Sequence, residues 1–226
     1  MRAEDQRGWQ SLGSPESLTI LGGDFSVRNR FVSLTEIHAF GSEGFNEPGW
    51  RLRIQGGGGE YGGDPLWTPK YAAEAMVGYS WWRGDYGGTV YAGWAANYHD
   101  ALPSQLQHGF DDGPAVLVEA WWRPAERVTL SAWSGYEEPY EMMQGGVMAE
   151  RQVTDQWSAL ATGRAGSDDA GDYWAAEGGI GYSFKAPFMM MGPPQDQALR
   201  LFGGVSADGD DSDISFRFEL LFWNRH

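Results

Sequence analysis

The sequence predicts an all-β chain, an antiparallel up-and-down transmembrane β-barrel of about 12 strands. Three observations point there. Apolar residues recur at every second position rather than at the three-and-four spacing of a helix. The 226 residues include 33 Gly, 12 Trp, 10 Tyr and 11 Phe, whereas Leu, Ile and Val, the staples of soluble cores, are sparse. Aromatic residues also gather at the ends of the alternating segments.

Taken in order, the first two strands cover 18–27 and 31–40. In the third, 49–60, Trp50, Leu52 and Ile54 oppose Arg51, Arg53 and Gln55. Its Gly56-Gly57-Gly58-Gly59 run lacks the Lys-Ser/Thr and the helix of a phosphate loop, and is read as a place where the strand bends. The fourth, 71–83, alternates most cleanly: Tyr71, Ala73, Ala75, Val77, Tyr79 and Trp81 against Ala72, Glu74, Met76, Gly78, Ser80 and Trp82. A fifth covers 86–98. Val116, Val118 and Ala120 oppose Leu117, Glu119 and Trp121 in 114–123, and Val128, Leu130 and Ala132 oppose Arg127, Thr129 and Ser131 in 127–137. Strands at 141–151 and 155–165 follow. In 171–184, Trp174, Ala176, Ile180, Tyr182 and Phe184 oppose Tyr173, Glu177 and Ser183. Leu199, Leu201 and Val205 oppose Arg200 and Ser206 in 197–207; Ile214, Phe216, Phe218, Leu220 and Phe222 oppose Ser215, Arg217 and Glu219 in 213–224. Residues 1–17 are assigned to an N-terminal periplasmic segment, and 18–226 to the barrel.

Alternation alone does not say which face is outside. A lumen of paired charges is the expected place for Arg51, Arg53, Glu74, Glu119, Glu177, Arg200, Arg217 and Glu219, both signs with few lysines. Ala73, Ala75, Ala92 and Ala159 on the apolar face would underfill a soluble core but cost little against fluid lipid. Trp81, Trp122, Phe184 and Phe222 at one end, with Tyr71, Tyr98 and Trp174 at the other, make the two aromatic bands of a membrane girdle. Connections after even strands are mostly short and those after odd strands longer or more acidic, the split between periplasmic turns and outer loops, with 185–196 as a long exception. The N-terminus has no apolar signal core, so the expectation is a bacterial outer-membrane protein whose signal peptide has been removed.

The same observations exclude several classes. Sixteen Lys plus Arg against 31 Asp plus Glu, a formal charge of −15, repel nucleic acid. Without cysteine there is neither a disulfide framework nor a thiolate metal site, and no cofactor is implied. The acidic run Asp208-Gly-Asp-Asp-Ser-Asp213 fails as a calcium loop because Asp213 stands where the turn needs Gly and a strand follows, so no metal site is assigned. His99 or His38 could serve a lipid-modifying enzyme, but no compact His-x-Ser-Asn signature accompanies either, and no catalytic residue is assigned. Trp121, Trp133 and Tyr173 could stack on sugar rings or simply fill a narrow lumen; with His99 and Asp100 at the mouth they are the candidate polysaccharide contacts. The two Trp-Trp-Arg triplets, 40 residues apart, suggest a propeller repeat, yet there is no Trp-Asp or Gly-His, and one out-and-back hairpin pair gives the same period. Each doublet then sends one ring to lipid, Trp81 and Trp122, and one inward, Trp82 and Trp121.

Three stretches, YAGWAANYHDALP (91–103), GPAVLVEAWWRPAERVTLSAWSGY (113–136) and GDYWAAEGGIGYSF (171–184), resemble the cellulose biosynthesis protein BcsS family of Gram-negative bacteria. The pattern is a strand ending in His99-Asp100 with Pro103 soon after, a Glu119-x-Trp121-Trp122-x-Pro124 hairpin, and a later strand opening on Gly171-Asp172-Tyr173. The resemblance implies a non-catalytic outer-membrane barrel, accessory to cellulose synthesis or export. Its partners would be outer-membrane lipid and lipopolysaccharide, with cellulose or components of its synthase and export apparatus. Read from the residues alone, a lipid A deacylase-like enzyme and a small porin-like channel are the alternatives.

Overall fold

The computed structural model describes residues 16–26, 29–41, 44–63, 66–100, 109–168, 171–187, 194–208 and 211–224. They form one closed antiparallel barrel of β1 (Ser17–Phe25), β2 (Asn29–Ala39), β3 (Gly49–Gly63), β4 (Leu66–Arg83), β5 (Tyr86–His99), β6 (Gly109–Ala125), β7 (Val128–Glu137), β8 (Met142–Gln152), β9 (Trp157–Asp168), β10 (Gly171–Pro187), β11 (Pro194–Asp208) and β12 (Asp211–Asn224). Each strand pairs with the next, and β1 closes the ring on β12 from Ser17–Asn224 to Phe25–Phe216. Closure leaves no strand edge, which is what lets a sheet cross lipid, where an unpaired N–H or C=O has no water to turn to. Twelve strands about 4.8 Å apart and tilted about 40° give a backbone cylinder of radius about 12 Å.

The register fixes two faces. Trp94, Val77, Val90, Val116, Ile180, Val205 and Phe216 all stand exposed on the outside, and so do Ala73, Ala75, Ala92 and Ala159. Aromatic rings bracket this apolar belt. Trp50 on Tyr79 (5.6 Å between centroids) and Trp157 on Tyr182 (4.7 Å) lie near one end with exposed Trp81 and Trp122; Tyr71 by Tyr98 (6.3 Å) lies at the other with exposed Trp174. Phe184 and Phe222 also sit on the outward face, half-buried. Tyr71 and Trp81 share β4; ten residues at ~3.3 Å, tilted ~40°, separate the bands by about 25 Å along the axis, the height of an outer-membrane apolar band. The strands run well past the aromatic band at the end opposite Ser17 and Asn224, as β3 and β4 do beyond Tyr71, which makes that end the outer one and the end with Ser17, Asn224 and the tight turns at 84–85 and 126–127 the periplasmic one. Gly84, at φ +63°, supplies the left-handed first position that such a two-residue hairpin needs. There the two Trp-Trp-Arg triplets lie close together, with Trp122 paired to Tyr86 and the Arg123 N–H donating to the Asp85 carbonyl (2.7 Å).

Two expectations change. The outer ends of the strands run further than alternation suggested: β3 reaches Gly63, β4 starts at Leu66 and β6 at Gly109. Above the aromatic band no lipid imposes an apolar face, so Glu60, Tyr61, Thr68 and Pro69 continue the ladder without the periodic signal. The predicted long outer loops are therefore mostly paired strand, and length does not sort the connections by side; the 40–48 link, with its 3-10 turn Gly44–Asn46, is a long periplasmic one. Residues 1–15 of the expected N-terminal segment and 188–193 of the 185–196 connection lie outside the described residues.

Two outward carboxylates break the apolar rule: Asp112, which accepts from the Trp94 indole N–H (2.7 Å), and Glu36. Glu36 pairs with Ile54 on β3 and Thr19 on β1, facing lipid, and its carboxylate accepts a hydrogen bond from the Thr19 hydroxyl. His38, next outward toward the periplasm, packs edge-on against Phe40 (5.1 Å).

Candidate functional site

The inward positions of the strands converge on the lumen, and at mid-height two structures fill it. On the β8–β1 side runs a continuous chain of ion pairs. Arg164 on β9 is bonded to Asp24 on β1 and lies 3.6 Å from Glu177 on β10; Glu177 accepts from Arg217 Nε (3.1 Å) and from the Ser215 hydroxyl (3.2 Å). Arg217 continues to Glu219 (2.9 Å), Glu219 to Arg200 (3.3 Å), and Arg200 to Glu150 on β8 (2.8 Å). The Arg217 guanidinium also lies 4.0 Å over the Phe202 ring. β9 and β1 are four strands apart round the ring, further than an arginine and an aspartate together could span in a circular cylinder of this size, so the Arg164–Asp24 bond crosses the lumen where the barrel is flattened and the two walls are drawn together.

On the β4–β7 side the filling is apolar. Met76, Tyr91, Ala95, Ala115 and Leu117 form a buried cluster with Trp133 packed against it. Beside it Arg53 is bonded to Glu74 and donates to Gln55 (2.6 Å), which accepts from Thr35 as well (2.9 Å). The two fillings leave an uneven balance of charge. Arg53, Arg164, Arg200 and Arg217 each hold a carboxylate, whereas Glu119 and Glu137 face the lumen with no ion pair within 4 Å among the described residues. Glu137 has Gln144 at 3.4 Å instead.

Of the eight residues expected in a lumen charge network, Arg53, Glu74, Glu177, Arg200, Arg217 and Glu219 are joined by ion pairs. Glu119 faces the lumen outside that network. Arg51 is a correction: at 1% exposure it is buried near the periplasmic end, donating to the carbonyls of Trp50 (2.9 Å) and Glu47 (2.7 Å) beneath the Phe45 ring, and no ion pair includes it among the described residues. Asp24, Glu150 and Arg164 were missed. Each sits at an inward position of a strand whose alternation is broken by Gly or small residues, and strand parity counted from the neighbouring hairpin would have found them.

The candidate saccharide contacts do not gather into one site. Trp121 lies near the periplasmic end with Arg123 5.3 Å over its ring. Trp133 belongs to the mid-height filling, its indole lying across Gly146. Tyr173 is nearer the outer mouth, donating to Gln144 (3.2 Å). His99 stands at the mouth itself, 5.2 Å from the Tyr61 ring and close to Lys70, which donates to Asn29 (2.6 Å). Asp100 is exposed just beyond, its N–H donating to the Pro69 carbonyl (2.9 Å). His38 faces outward at the opposite end of the barrel from His99, so the two histidines share no site.

No family model matches the chain, and no characterised protein matches it in sequence. Solved structures match its fold. The KdgM porin, in a structure with disordered oligogalacturonate, superposes with a TM-score of 0.56 at 6% identity, over 92% of this chain and 99% of that one. The NanC porin gives 0.48 at 14% identity (92% and 100% covered), and the Pseudomonas putida toluene transporter TodX 0.49 at 8% (92% and 89%). At such identities the likeness is one of fold. The closed strand order and the girdled apolar belt, with the fold shared with KdgM, place the protein in the bacterial outer membrane.

Proposed function

We propose that the protein is a narrow, porin-like channel for small neutral or cationic polar solutes, non-catalytic, with its bore set by movable side chains rather than by the backbone. The observation behind this reading is the mid-height filling, arginine–carboxylate pairs across one side of the lumen and, on the other, Glu74, Glu119 and Glu137 gathered round the single Arg53, so that carboxylates outnumber guanidiniums among the described residues. A barrel of about 12 Å backbone radius has room for a small pore once such side chains fold aside, and leftover carboxylates favour cations over anions. KdgM was solved with oligogalacturonate, a polyanion; among the described residues each mid-height arginine already holds a carboxylate. Planar-bilayer recording tests the proposal. Wild-type barrels should pass small, cation-selective currents, and the Arg164→Ala/Arg217→Ala variant larger ones. Silence from both, with folded protein in the bilayer, refutes conduction.

A second reading has its own support: an accessory barrel of cellulose synthesis or export. The stretches that resemble the BcsS family map onto β5, β6, β7 and β10, the wall that carries Trp121, Trp133 and Tyr173. Cellulose is uncharged, so the leftover carboxylates do not repel it. Tryptophan fluorescence titrated with cello-oligosaccharides should shift in the wild type and not after Trp121→Ala/Tyr173→Ala; no shift in either removes this reading.

A further inference from the structure

On the outward face, β1 to β4 enclose a groove that has no part in the lumen. It holds about 360 Å³ and is lined by Phe25, Arg30, Val32, Gly58, Glu60 and Tyr71 among others. Glycines create it. Gly58 brings no side chain to the floor, and the Tyr71 ring lies against it, 3.0 Å from where a Cβ would stand. On the far side Phe25 and Phe218 stack (6.1 Å) across Gly23. Two aromatic walls thus lean on glycine neighbours and leave an open trough between them, with Val32 at its base.

The groove lies at the outer aromatic band: Tyr71 belongs both to its wall and to that band, and Arg30 and Glu60, a cross-strand pair, form its rim. The Arg30 guanidinium does not meet Glu60. It lies 4.1 Å over the Trp67 ring, and no carboxylate comes within ion-pair distance of it among the described residues. A cation held on an indole at head-group height, above an apolar trough, complements an anionic head with a hydrocarbon chain beneath it. At ~30 Å³ for a water-sized group, the volume admits about a dozen methylene-sized groups, the order of one acyl chain.

The geometry points to this groove as a binding site for one molecule of lipid A, the phosphorylated, multiply acylated lipid of the outer leaflet, with an acyl chain between Phe25 and Tyr71 and a phosphate on Arg30. The site is independent of what the lumen carries. Charge and shape contribute separately, so they separate experimentally. Full-length barrel in detergent is titrated with purified lipid A, and in parallel with phosphatidylglycerol, and bound lipid is counted by native mass spectrometry. The wild type should hold one lipid A in preference to phosphatidylglycerol. Arg30→Ser should weaken retention about tenfold, the worth of a charge-assisted hydrogen bond. Val32→Trp, an exposed position, should fill the trough and abolish it; Val32→Phe replaces it where the larger ring disturbs folding, scored by heat-dependent gel mobility. Equal retention by wild type and both variants, or equal retention of the two lipids, overturns the assignment.

Discussion

The Arg164–Asp24 bond offers the sharpest test of how the lumen is held. Arg164→Met leaves Asp24 with no partner among the described residues, while Glu177 keeps Arg217 and Ser215. Breaking a fully buried pair by removing one partner costs about 3–5 kcal/mol. Here the side chains of Arg164 and Asp24 retain 23% and 20% of their exposure, and only one of the two carboxylates is orphaned; about 2 kcal/mol is the expected loss once that residual hydration is allowed for. Asp24→Asn should cost a similar amount because it leaves the cation half-paired. The double variant should then be more stable than the sum of the single losses by about 1–2 kcal/mol. Urea unfolding of the barrel in lipid vesicles, followed by tryptophan fluorescence, reads all four corners of the cycle, and an unchanged slope with urea shows that the same surface is exposed each time. Losses that add to within about 0.5 kcal/mol would refute a bond across the lumen.

The glycines separate into those that packing requires and those it does not. A Cβ on Gly78 would stand 2.6 Å from the Val90 carbonyl oxygen and inside the Tyr91 ring's contact distance, so Gly78→Ala should destabilise by about 1–3 kcal/mol; Gly203→Ala, which meets nothing within 4 Å, should stay within about 0.5 kcal/mol, both measured by the same urea titration. In vesicles of brominated lipid, quenching should fall on Trp81→Phe and Trp122→Phe, whose rings are outward and exposed, and stay level on Trp82→Phe and Trp121→Phe; equal falls from all four would refute the sidedness of the two doublets.

Much of this fold is legible in β4 alone. Its odd residues are exposed and its even ones turned inward over the length between the girdles, because lipid and lumen each impose one chemistry on one parity. Where neither solvent acts, parity goes quiet. Glu60 to Gly63 and Leu66 to Pro69 pair above the bilayer with no alternation to mark them as strand. The Gly56–Gly59 run reads in sequence as a bend; the structure gives it a packing reason. Tyr71 lies over Gly58 on the outside and Phe31 over Gly57 on the inside, contacts between strands that no local pattern announces. The lumen network was half legible for the same reason. Strand parity tells that Glu177 and Arg217 point inward, but the link from Asp24 to Arg164 depends on the curvature that brings β1 and β9 to face each other. Arg51 shows the converse, an inward charge satisfied by the carbonyls of Glu47 and Trp50 rather than by an ion pair among the described residues.

The lipid-facing Glu36, tethered to Thr19, fixes the ride height of the barrel. The second outward residue of β2 from its periplasmic end, after His38, it sits in the apolar belt closer to the periplasmic girdle than to the outer one. A carboxylate on a barrel's outer surface costs most at the bilayer midplane and least at the interface, so displacement outward, which would carry Glu36 toward the midplane, is opposed. Displacement the other way would draw Arg30 and Glu60 down from the head-groups into hydrocarbon. Between these two stops the protein has one favoured level, and a membrane of different thickness must adjust to the barrel rather than let it float.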